Sequence, residues 1–391
     1  MPIRICMVGY AEYPGDVRIR REAESLIRAG YGVDVVCLQQ AGKPRRETVD
    51  QVRVYRLGVS KYRGTGAISY AISYVRFFLQ AALLVSRLHL ANHYVVVQFH
   101  TLPDFVIFAG LIPRLLGARL ILDMHEVTPE FYMTKFKVGP GHPMVRLAKF
   151  IEKASVRFAD GIIVVTDPIE RIVTRRCKPR CPIVVVMNTA DERRIAPSRE
   201  PPTGNQEGFV AMYHGTLTPM YGLEVAIRAM KILKGKIRGL EFRIFGDNAE
   251  ARYLKDIAVQ MGVDDIVRFM GRVPQDEIPG YIQQAQVGVL PTLRDTFIDL
   301  SFSNKLAEYV LMRRPVVATR LNSTLEYFPD GSIAYFESGN AEDLAAKLLH
   351  LYENPEEGVR QAALAFENYQ RIRWPVMERR YLDLIAGLED R

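Results

Sequence analysis

Residues 303–309, Ser-Asn-Lys-Leu-Ala-Glu-Tyr, form the opening of a predicted helix between two strand-like apolar runs, residues 287–291 and 315–318. A buried strand, a loop and a helix that opens on Ser or Asn place free backbone N–H groups and a positive helix end at the carboxyl edge of a sheet. Lys305 adds a cation, and Glu308 offers a carboxylate on the same helical face. The segment therefore predicts a site for a diphosphate and a ribose. A solvated Lys-Glu face on an ordinary βαβ unit is the alternative.

Strand-like runs alternate with helical ones at βαβ spacing along the whole chain of 391 residues, which is too long for a single core. The runs form two series, residues 3–8, 33–37, 95–99, 120–123, 161–165 and 183–186, and residues 210–214, 242–246, 267–270, 287–291, 316–318 and 333–336. This repeat predicts an α/β protein with two doubly wound, Rossmann-like domains that face each other across a cleft. We place the domains at residues 1–194 and 195–373, joined near the polar tract 196–208. A last helix at 374–391 is expected to pack back toward the first domain.

Positive charge is concentrated in the first half of the chain. Residues 1–190 contain 27 Lys or Arg and 15 Asp or Glu, a net charge of +12, whereas the whole chain carries +8. Residues 51–100 contain six basic residues, no acidic ones and several aromatic ones. Such a composition suits an anionic membrane surface or a nucleic acid. We expect a membrane surface and no nucleic acid, and a solvated basic face is the alternative.

One predicted helix combines basic and apolar residues. Four basic residues recur at spacings of three and four and define a basic stripe, Arg146, Lys149, Lys153 and Arg157. The apolar residues of this helix are expected on its other faces, and they are Leu147, Phe150, Ile151 and Phe158. The stripe predicts electrostatic binding to anionic lipid that is lost as salt rises, and a solvent-facing stripe is the alternative.

The longest apolar tract, residues 67–90, carries Arg76 and Arg87, which argues against a membrane span. No signal-peptide pattern is present near Met1, so we expect a cytoplasmic protein that is peripheral to the inner face of the cell membrane. No Asp-x-Asp or His-rich cluster has metal-ligand spacing, and Cys177 and Cys181 lack a second ligand pair. We therefore predict no metal site.

Candidate residues also follow strands of the first domain. No GxGxxG follows the first strand, which argues against a dinucleotide dehydrogenase, but Gly15 allows close approach of a ligand before a helix that carries Arg18. His125 follows the run 120–124 at the carboxyl edge, where catalytic residues gather. His100 is a second candidate of the same kind. For each histidine a structural role is the alternative.

Six motifs occur in one order along nearly the whole chain: His125-Glu126, Asn188-Thr189, Gly215-Thr216-Leu217, Phe245-Gly246-Asp247, residues 269–273, and residues 304–309 with 315–319. In this order the chain resembles the family 4 retaining glycosyltransferases. The resemblance implies the GT-B fold and a nucleoside diphosphate sugar, with a UDP-sugar favoured, bound chiefly by the second domain. It also implies no metal or other cofactor, and an acceptor bound mainly by the first domain.

The resemblance implies roles for individual residues. It places Glu308 on the ribose, and the helix start Ser303, Asn304 and Lys305 on the diphosphate. It places the backbone of Arg272 and Val273 against the base, and His125 beside the donor sugar. Further donor-site residues are Gly15, Arg18, Gly215, Thr216, Gly246, Arg294 and Asp299. Fixed N–H dipoles and a lysine aimed at the leaving diphosphate bind the transition state more tightly than the ground state.

The chain departs from the family pattern at three positions. The usual Glu eight residues before Glu308 is Leu300 here, so Asp295 or Asp299 must replace its contact with the sugar. The usual diphosphate-binding Arg and Lys align with Thr216 and Tyr221, which are uncharged. Because an uncompensated diphosphate in a closed cleft is costly, we expect Arg18, Arg294 and Lys305 to replace them.

The expected function is transfer of a hexose-type sugar, with retention, to a lipid-linked or polysaccharide acceptor by a monomer. Two alternatives stay open, a GT-B sugar-nucleotide epimerase and an inactive nucleotide-sugar-binding subunit.

Overall fold

The computed structural model describes residues 2–62, 67–193, 195 and 208–390. The chain divides into two compact units, the first with residues 1–187 and 375–391 and the second with residues 188–374. The predicted linker 196–208 lies outside the described residues except for Gly208. Each unit has its own sheet, as the two series of strand-like runs predict.

The first unit contains an eight-stranded sheet in the order β3-β4-β2-β1-β5-β6-β7-β8. Its strands are β1 (Arg4–Gly9), β2 (Gly32–Cys37), β3 (Arg46–Val49), β4 (Val52–Arg56), β5 (Val96–His100), β6 (Arg119–Met124), β7 (Gly161–Val164) and β8 (Ile183–Val185). All pairs are parallel except β3 with β4. The central strands are almost wholly buried because helices cover both faces.

The hairpin of β3 and β4 is absent from the predicted series. Its two-residue turn, Asp50 and Gln51, adopts positive φ angles of 49° and 69°. Glycine or asparagine usually indicates such a turn in a sequence, and neither is present here. Val52 and Val54 are buried in β4, so the alternating pattern of that strand was the available signal.

The helices of the first unit are α1 (Val17–Arg28), α2 (Ala67–Asn92), α3 (Leu111–Leu115), α4 (Thr128–Phe136), α5 (Pro143–Phe158), α6 (Asp167–Cys177) and the last helix of the chain, α14 (Trp374–Glu389). A 3-10 helix, Asp104–Gly110, precedes α3. The connection from β1 to β2 runs across the sheet in one direction, and the helical connections from β4 onward run in the other. Because such crossovers are right-handed, α1 lies on one face, and α2, α3 and α5 lie on the opposite face.

In the described residues, one helical segment, Ser69–Asn92 of α2, is long and apolar enough to cross a membrane by length and composition. In this fold α2 connects β4 to β5 of the same sheet, and it buries Tyr74, Phe77 and Val85. A helix that spanned the bilayer would expose this buried side and separate the two strands, so α2 is a crossover helix of the first unit.

The second unit contains a six-stranded parallel sheet in the order β11-β10-β9-β12-β13-β14. Its strands are β9 (Phe209–His214), β10 (Leu240–Phe245), β11 (Val267–Gly271), β12 (Val287–Leu290), β13 (Val316–Thr319) and β14 (Ala334–Phe336). Its helices are α7 (Leu223–Leu233), α8 (Ala249–Met261), α9 (Ile278–Gln284), α10 (Asn304–Leu311), α11 (Asn322–Tyr327), α12 (Ala341–Glu353) and α13 (Pro355–Tyr369). The strand order reverses between β9 and β12. Ligands of doubly wound sheets bind at such a switch point, outside the carboxyl ends of the strands.

Candidate functional site

A pocket of about 970 Å³ lies at this carboxyl edge of the second sheet. The ends of β9, β10 and β11 and the first turns of α9 and α10 contribute its walls, which are lined by His214, Gly215, Thr216, Phe245, Gly246, Asp247, Asn248, Arg272, Val273, Pro274, Gln275, Ile278, Asn304, Lys305 and Glu308. Its volume falls within the range usual for small-molecule sites. The pocket thus brings Lys305 and Glu308 together with side chains and backbone from segments that lie far away in the sequence.

Lys305 is held by aromatic rings. Its Nζ lies 4.3 Å from the ring centroid of Tyr221 and 5.5 Å from that of Tyr213. Its aliphatic stem crosses Gly215, where an added Cβ would approach Lys305 Cε to 2.4 Å. The position that the resemblance associates with a cation, Tyr221, is therefore occupied by a ring that holds the Lys305 ammonium by a cation–π contact.

The charged groups of the pocket have shifted pKa values. Burial lowers the pKa of Lys305 to about 8, and Glu308 opposes this shift. Burial raises the pKa of Glu308 to about 7, and Lys305 opposes that shift. His214 Nε2 lies 3.4 Å from Glu308 Oε2, and burial, with Lys305 nearby, lowers the pKa of His214 to about 3. His214 is thus neutral, and a bound anion would favour the charged form of Lys305.

Two glycines let the strand ends come together beneath the pocket. Gly215 has a φ of +115° and Gly246 a φ of +150°, and a Cβ on Gly246 would lie 2.3 Å from the carbonyl oxygen of Gly215. No other residue type fits there without a shift of the backbone. Gly215 and Thr216, at the start of the loop after β9, line the pocket.

Helix α10 begins at the pocket. Ser303 is its N-cap residue and makes no side-chain capping hydrogen bond, and Asn304 lines the pocket. The helix start therefore presents backbone N–H groups near Lys305. Ser303 itself does not line the pocket.

Of the predicted donor-site residues, Gly215, Thr216, Gly246, Arg272, Val273, Asn304, Lys305 and Glu308 line the pocket. Arg294 and Asp299 do not. Arg294 donates to the carbonyl of Arg320, and its Nε lies 3.6 Å from Asp299. Asp299 accepts hydrogen bonds from the backbone N–H and the side chain of Asn322 at the start of α11.

Asp295 has a similar local role. Its Oδ1 accepts hydrogen bonds from the backbone N–H groups of Phe297 and Ile298, each at 2.8 Å. The carboxylates of Asp295 and Asp299 thus stabilise the loop between β12 and α10. The spacing of residues in the sequence did not predict this structural role. Lys305 therefore contributes a cation to the pocket, whereas Arg294 does not line it.

A second group of candidates lies in the first unit, at the carboxyl ends of β5 and β6. His100 Nδ1 lies 2.9 Å from Asp123 Oδ2 and 3.1 Å from His125 Nε2. All three residues are buried, and His100 pairs with Asp123 across the two strands. Burial lowers the pKa of His125 to about 3, so the imidazole is neutral. Burial would raise the pKa of Asp123, but contacts with His125, His100 and Gln98 lower it to about 2.

Asp123 is also connected to the last helix. Gln98 Nε2 donates to Asp123 Oδ2 at 2.9 Å and to Glu22 Oε2 at 2.7 Å, and the Tyr381 hydroxyl of α14 donates to Gln98 Oε1 at 2.7 Å. Burial and the nearby Asp123 raise the pKa of Glu22 well above its usual value. The chain of hydrogen bonds therefore links the position of His125 to the packing of α14.

His100, Asp123 and His125 also offer three metal-ligand atoms that lie within 4.8 Å of one another. Two imidazoles and a carboxylate are a donor set that divalent metals accept. This group was not predicted from the sequence, because His100 and Asp123 lie on neighbouring strands that are separate in the chain. The hydrogen bonds among the three side chains also account for their convergence without an ion.

Gly15 and Arg18 surround the start of α1 in the same unit. Asp16 is the N-cap residue of α1, and its carboxylate accepts hydrogen bonds from Arg18 Nε at 3.1 Å and Nη2 at 2.8 Å. Burial alone would raise the pKa of the Asp16 carboxyl, but the hydrogen bonds from Arg18 hold this pKa well below its usual range. Arg18 is thus already paired with a carboxylate in this unit.

The basic stripe lies on α5 as predicted, with Arg146, Lys153 and Arg157 exposed. The expectation that the apolar residues occupy other faces is wrong for Phe150, which is 70% exposed and lies at the angle of the stripe. Leu147 is exposed beside it. The side of α5 that faces the core contains Val145, Ala148 and Val156 instead.

The pocket-lining residues His214, Asn248 and Gln275 were not predicted from the sequence, nor was Tyr213, whose ring lies beside Lys305 Nζ. His214 ends β9 directly before the Gly215 motif, so the rule that assigned His125 also applied to it. Asn248 begins α8, and its Nδ2 donates to the carbonyl of Leu217. For Tyr213 and Gln275 the sequence contains no comparable signal.

Two family models match the chain. Residues 15–189 match a glycosyl transferase 4-like domain, and residues 208–354 match glycosyl transferases group 1. A relative described as D-inositol 3-phosphate glycosyltransferase, from Corynebacterium urealyticum, is 22% identical over 95% of this chain and 90% of its own length.

Solved structures share the fold. Sucrose-phosphate synthase from Thermosynechococcus elongatus superposes with a TM-score of 0.77 over 99% of both chains at 16% identity. HepE of Anabaena, crystallised in complex with UDP, superposes with a TM-score of 0.71 over 98% of this chain and 100% of its own at 15% identity. These likenesses confirm the predicted GT-B fold.

Proposed function

The chain belongs to the group 1 glycosyltransferases, and from this membership we propose that it transfers a hexose-type sugar, with retention and without a metal ion, from a UDP-sugar to a lipid-linked or polysaccharide acceptor. The observation that carries the proposal is the second-unit pocket. A buried ammonium, a carboxylate three residues later and glycine-ended strands meet there at the switch point of the sheet. The UDP complex of HepE supports a uridine nucleotide as the ligand class.

The proposed chemistry follows from the charges. When the bond from the sugar to the diphosphate breaks, negative charge grows on the leaving phosphate oxygens. Lys305 and the N–H groups at the start of α10 are fixed groups that stabilise this charge without reorganising. Glu308 accepts hydrogen bonds from the ribose hydroxyls, and the neutral His125 contacts the donor sugar as a hydrogen-bonding group. Retention arises from attack on the same face, with the leaving phosphate oxygen taking the acceptor proton.

Release of free UDP tests the proposal against its alternatives. A transferase releases UDP from UDP-sugar only when acceptor is added, whereas an epimerase converts the sugar nucleotide without acceptor. An inactive binding subunit binds UDP-sugar and releases nothing. Screening nucleotide sugars by thermal shift identifies the donor first, because a ligand at 100 times its Kd stabilises the fold by about 2.7 kcal/mol.

UDP affinity is expected to depend on pH through the two shifted groups. Lys305 loses its proton as pH rises through about 8, and the diphosphate prefers the protonated lysine, so affinity falls above that value. Glu308 gains a proton as pH falls through about 7, which weakens its acceptance of the ribose hydroxyls, so affinity also falls below that value. Calorimetric titration of UDP across both values should therefore give a bell-shaped profile.

Two variants and one ligand separate the limbs of this profile. Lys305→Met removes the alkaline limb, and Glu308→Gln removes the acidic limb and costs about 1.5 to 3 kcal/mol for each charged hydrogen bond lost. Uridine lacks the diphosphate, so it should keep only the acidic limb. A flat profile for the unaltered chain would remove both residues from the nucleotide site.

Turnover is expected to survive EDTA. The proposed charge stabilisation uses Lys305 and backbone N–H groups, so no diphosphate-bound cation is required. The measurement is UDP release before and after EDTA treatment and after addition of Mg²⁺ or Mn²⁺. A strict metal requirement overturns metal independence. If His100→Gln raises the metal concentration needed for half-maximal UDP release, the metal lies in the cluster of His100, Asp123 and His125.

The proposed place of action is the cytoplasmic face of the cell membrane. The basic first unit and the exposed basic stripe of α5 support this location, because lipid-linked acceptors reside at an anionic surface.

A further inference from the structure

Exposed hydrophobic side chains are unevenly distributed over the described residues. Eleven of the seventeen large ones lie on α2, on α5, and on α3 with the residue that follows it. The right-handed crossovers place these three helices on the same face of the first sheet. A concentration of this kind marks an interaction surface, whereas scattered exposed side chains need no explanation.

Helix α2 carries the longest part of this surface. Its exposed apolar residues are Ile72, Val75, Leu79, Leu83 and Leu90. At 3.6 residues per turn they fall within a strip about 80° wide along the whole helix. Phe77 and Val85 lie on the opposite side and are buried against the core. The helix is therefore apolar on both sides, although only one side is covered by protein.

Helix α3 continues the surface. Leu111, Ile112, Leu115 and Leu116 are exposed, and Leu115 is 73% exposed. The 3-10 helix before α3 joins the helices, because it packs against both α2 and α5. Phe105 of the 3-10 helix lies 5.7 Å from Phe78 of α2, measured between ring centroids. The three helices thus form one connected layer.

The charges of this layer indicate its partner. Arg76 and Arg87 are exposed along one edge of the apolar strip of α2, and Phe150 lies beside the basic stripe of α5. No acidic side chain is exposed on the described parts of α2, α3 and α5, because Glu152 is buried and paired with Arg176. Apolar side chains among basic ones, with no acidic neighbours, fit an interface that is apolar inside and anionic at its rim.

From these observations we infer that α2, α3 and α5 form a membrane-insertion surface, which places leucine, isoleucine and phenylalanine side chains into one leaflet of an anionic lipid bilayer. The inference deepens the membrane location in the proposed function. It changes the expected binding, because apolar insertion persists when salt screens the charges, whereas the basic stripe alone predicts loss of binding.

Vesicle binding distinguishes the two contributions. The unaltered chain should co-sediment with phosphatidylcholine vesicles that contain phosphatidylglycerol, and about 1 M salt should weaken binding by less than about tenfold. Leu79→Gln with Leu83→Gln and Leu115→Gln should lower the partition coefficient by more than about tenfold at low and high salt. Replacement of the four basic-stripe residues by Gln should lower binding at low salt only.

A matched control comes from the second unit. Val259 on α8 is 62% exposed, as is Leu83, so Val259→Gln removes an equally exposed apolar side chain outside the surface. This variant should bind vesicles as the unaltered chain does. All variants should keep UDP affinity, because the substituted residues lie outside the nucleotide pocket. Vesicle binding without UDP affinity overturns the proposed function and leaves the insertion surface standing.

Insertion depth can be measured directly. The chain contains a single tryptophan, Trp374, which is buried. Fluorescence of Leu115→Trp should be quenched by lipids brominated on their acyl chains, and fluorescence of Val259→Trp should not. Loss of all binding of the unaltered chain in high salt, or absence of quenching at Leu115→Trp, overturns the inference. Self-association that the apolar triple variant abolishes, without vesicle binding, would instead assign the surface to a second copy of the chain.

Discussion

Replacing Lys305 by alanine should lower turnover by about 100-fold or more and weaken binding of the UDP-sugar far less. The ammonium lies in the pocket over the Tyr221 ring, where it meets charge that grows as the diphosphate leaves. An interaction that strengthens in the transition state affects turnover, whereas one that is equal in both states affects binding alone. The measurement is turnover and donor affinity on the same preparation.

A control variant is needed for the loss of a lysine–aromatic contact as such. Lys255 lies over the Phe269 ring at 5.6 Å and outside the pocket lining, so Lys255→Ala removes a similar contact and should leave both constants unchanged. Lys305→Met keeps most of the aliphatic stem, so it should reproduce the loss of turnover without loss of the fold. Small and equal changes in turnover and donor affinity would show that another group stabilises the leaving diphosphate.

Asp123→Asn is expected to have the second large effect. The carboxylate accepts hydrogen bonds from Gln98 and His100 in a fully buried site, and removal of one partner from a buried charged network typically costs about 3 to 5 kcal/mol. His125 loses its orienting neighbour in the same change. Displacement of a reacting group by about 1 Å can cost about 100-fold in rate, so turnover per folded molecule should fall by a similar factor.

Asp34→Asn separates the structural part of this effect from the functional part. Asp34 is as buried as Asp123 in the same sheet and is held by Arg4, Arg53 and Tyr94. Its replacement should lower the free energy of unfolding by a comparable amount but leave turnover per folded molecule unchanged. If both variants keep full turnover once folded, the hydrogen bonds to His100 serve only stability.

The fold was predictable because its signals are local. Apolar runs of three to six residues indicate the strands, and helical periodicity between the runs indicates parallel crossovers. The two-domain GT-B architecture is confirmed, and so is membership of the family. The hairpin of β3 and β4 was missed because its turn uses Asp50 and Gln51 rather than glycine.

Sequence alone also determined the core of the candidate site. Lys305 and Glu308 are three residues apart on one helix, so any helix at this position brings both side chains to the same edge of the sheet. The same local geometry predicted the basic stripe of α5. Where one helix or one strand end sets a position, spacing in the chain is sufficient.

Only the tertiary structure decided which distant side chains surround these groups. Tyr221 holds the ammonium of Lys305, His100 and Asp123 meet His125 across neighbouring strands, and the loop carboxylate of Asp299 turns to α11 instead of the pocket. The exposure of Phe150 depended on which side of α5 the core covers. Contacts of this kind depend on packing between segments far apart in the chain, and burial then shifts the pKa of Lys305 and of Glu308 in ways that no spacing encodes.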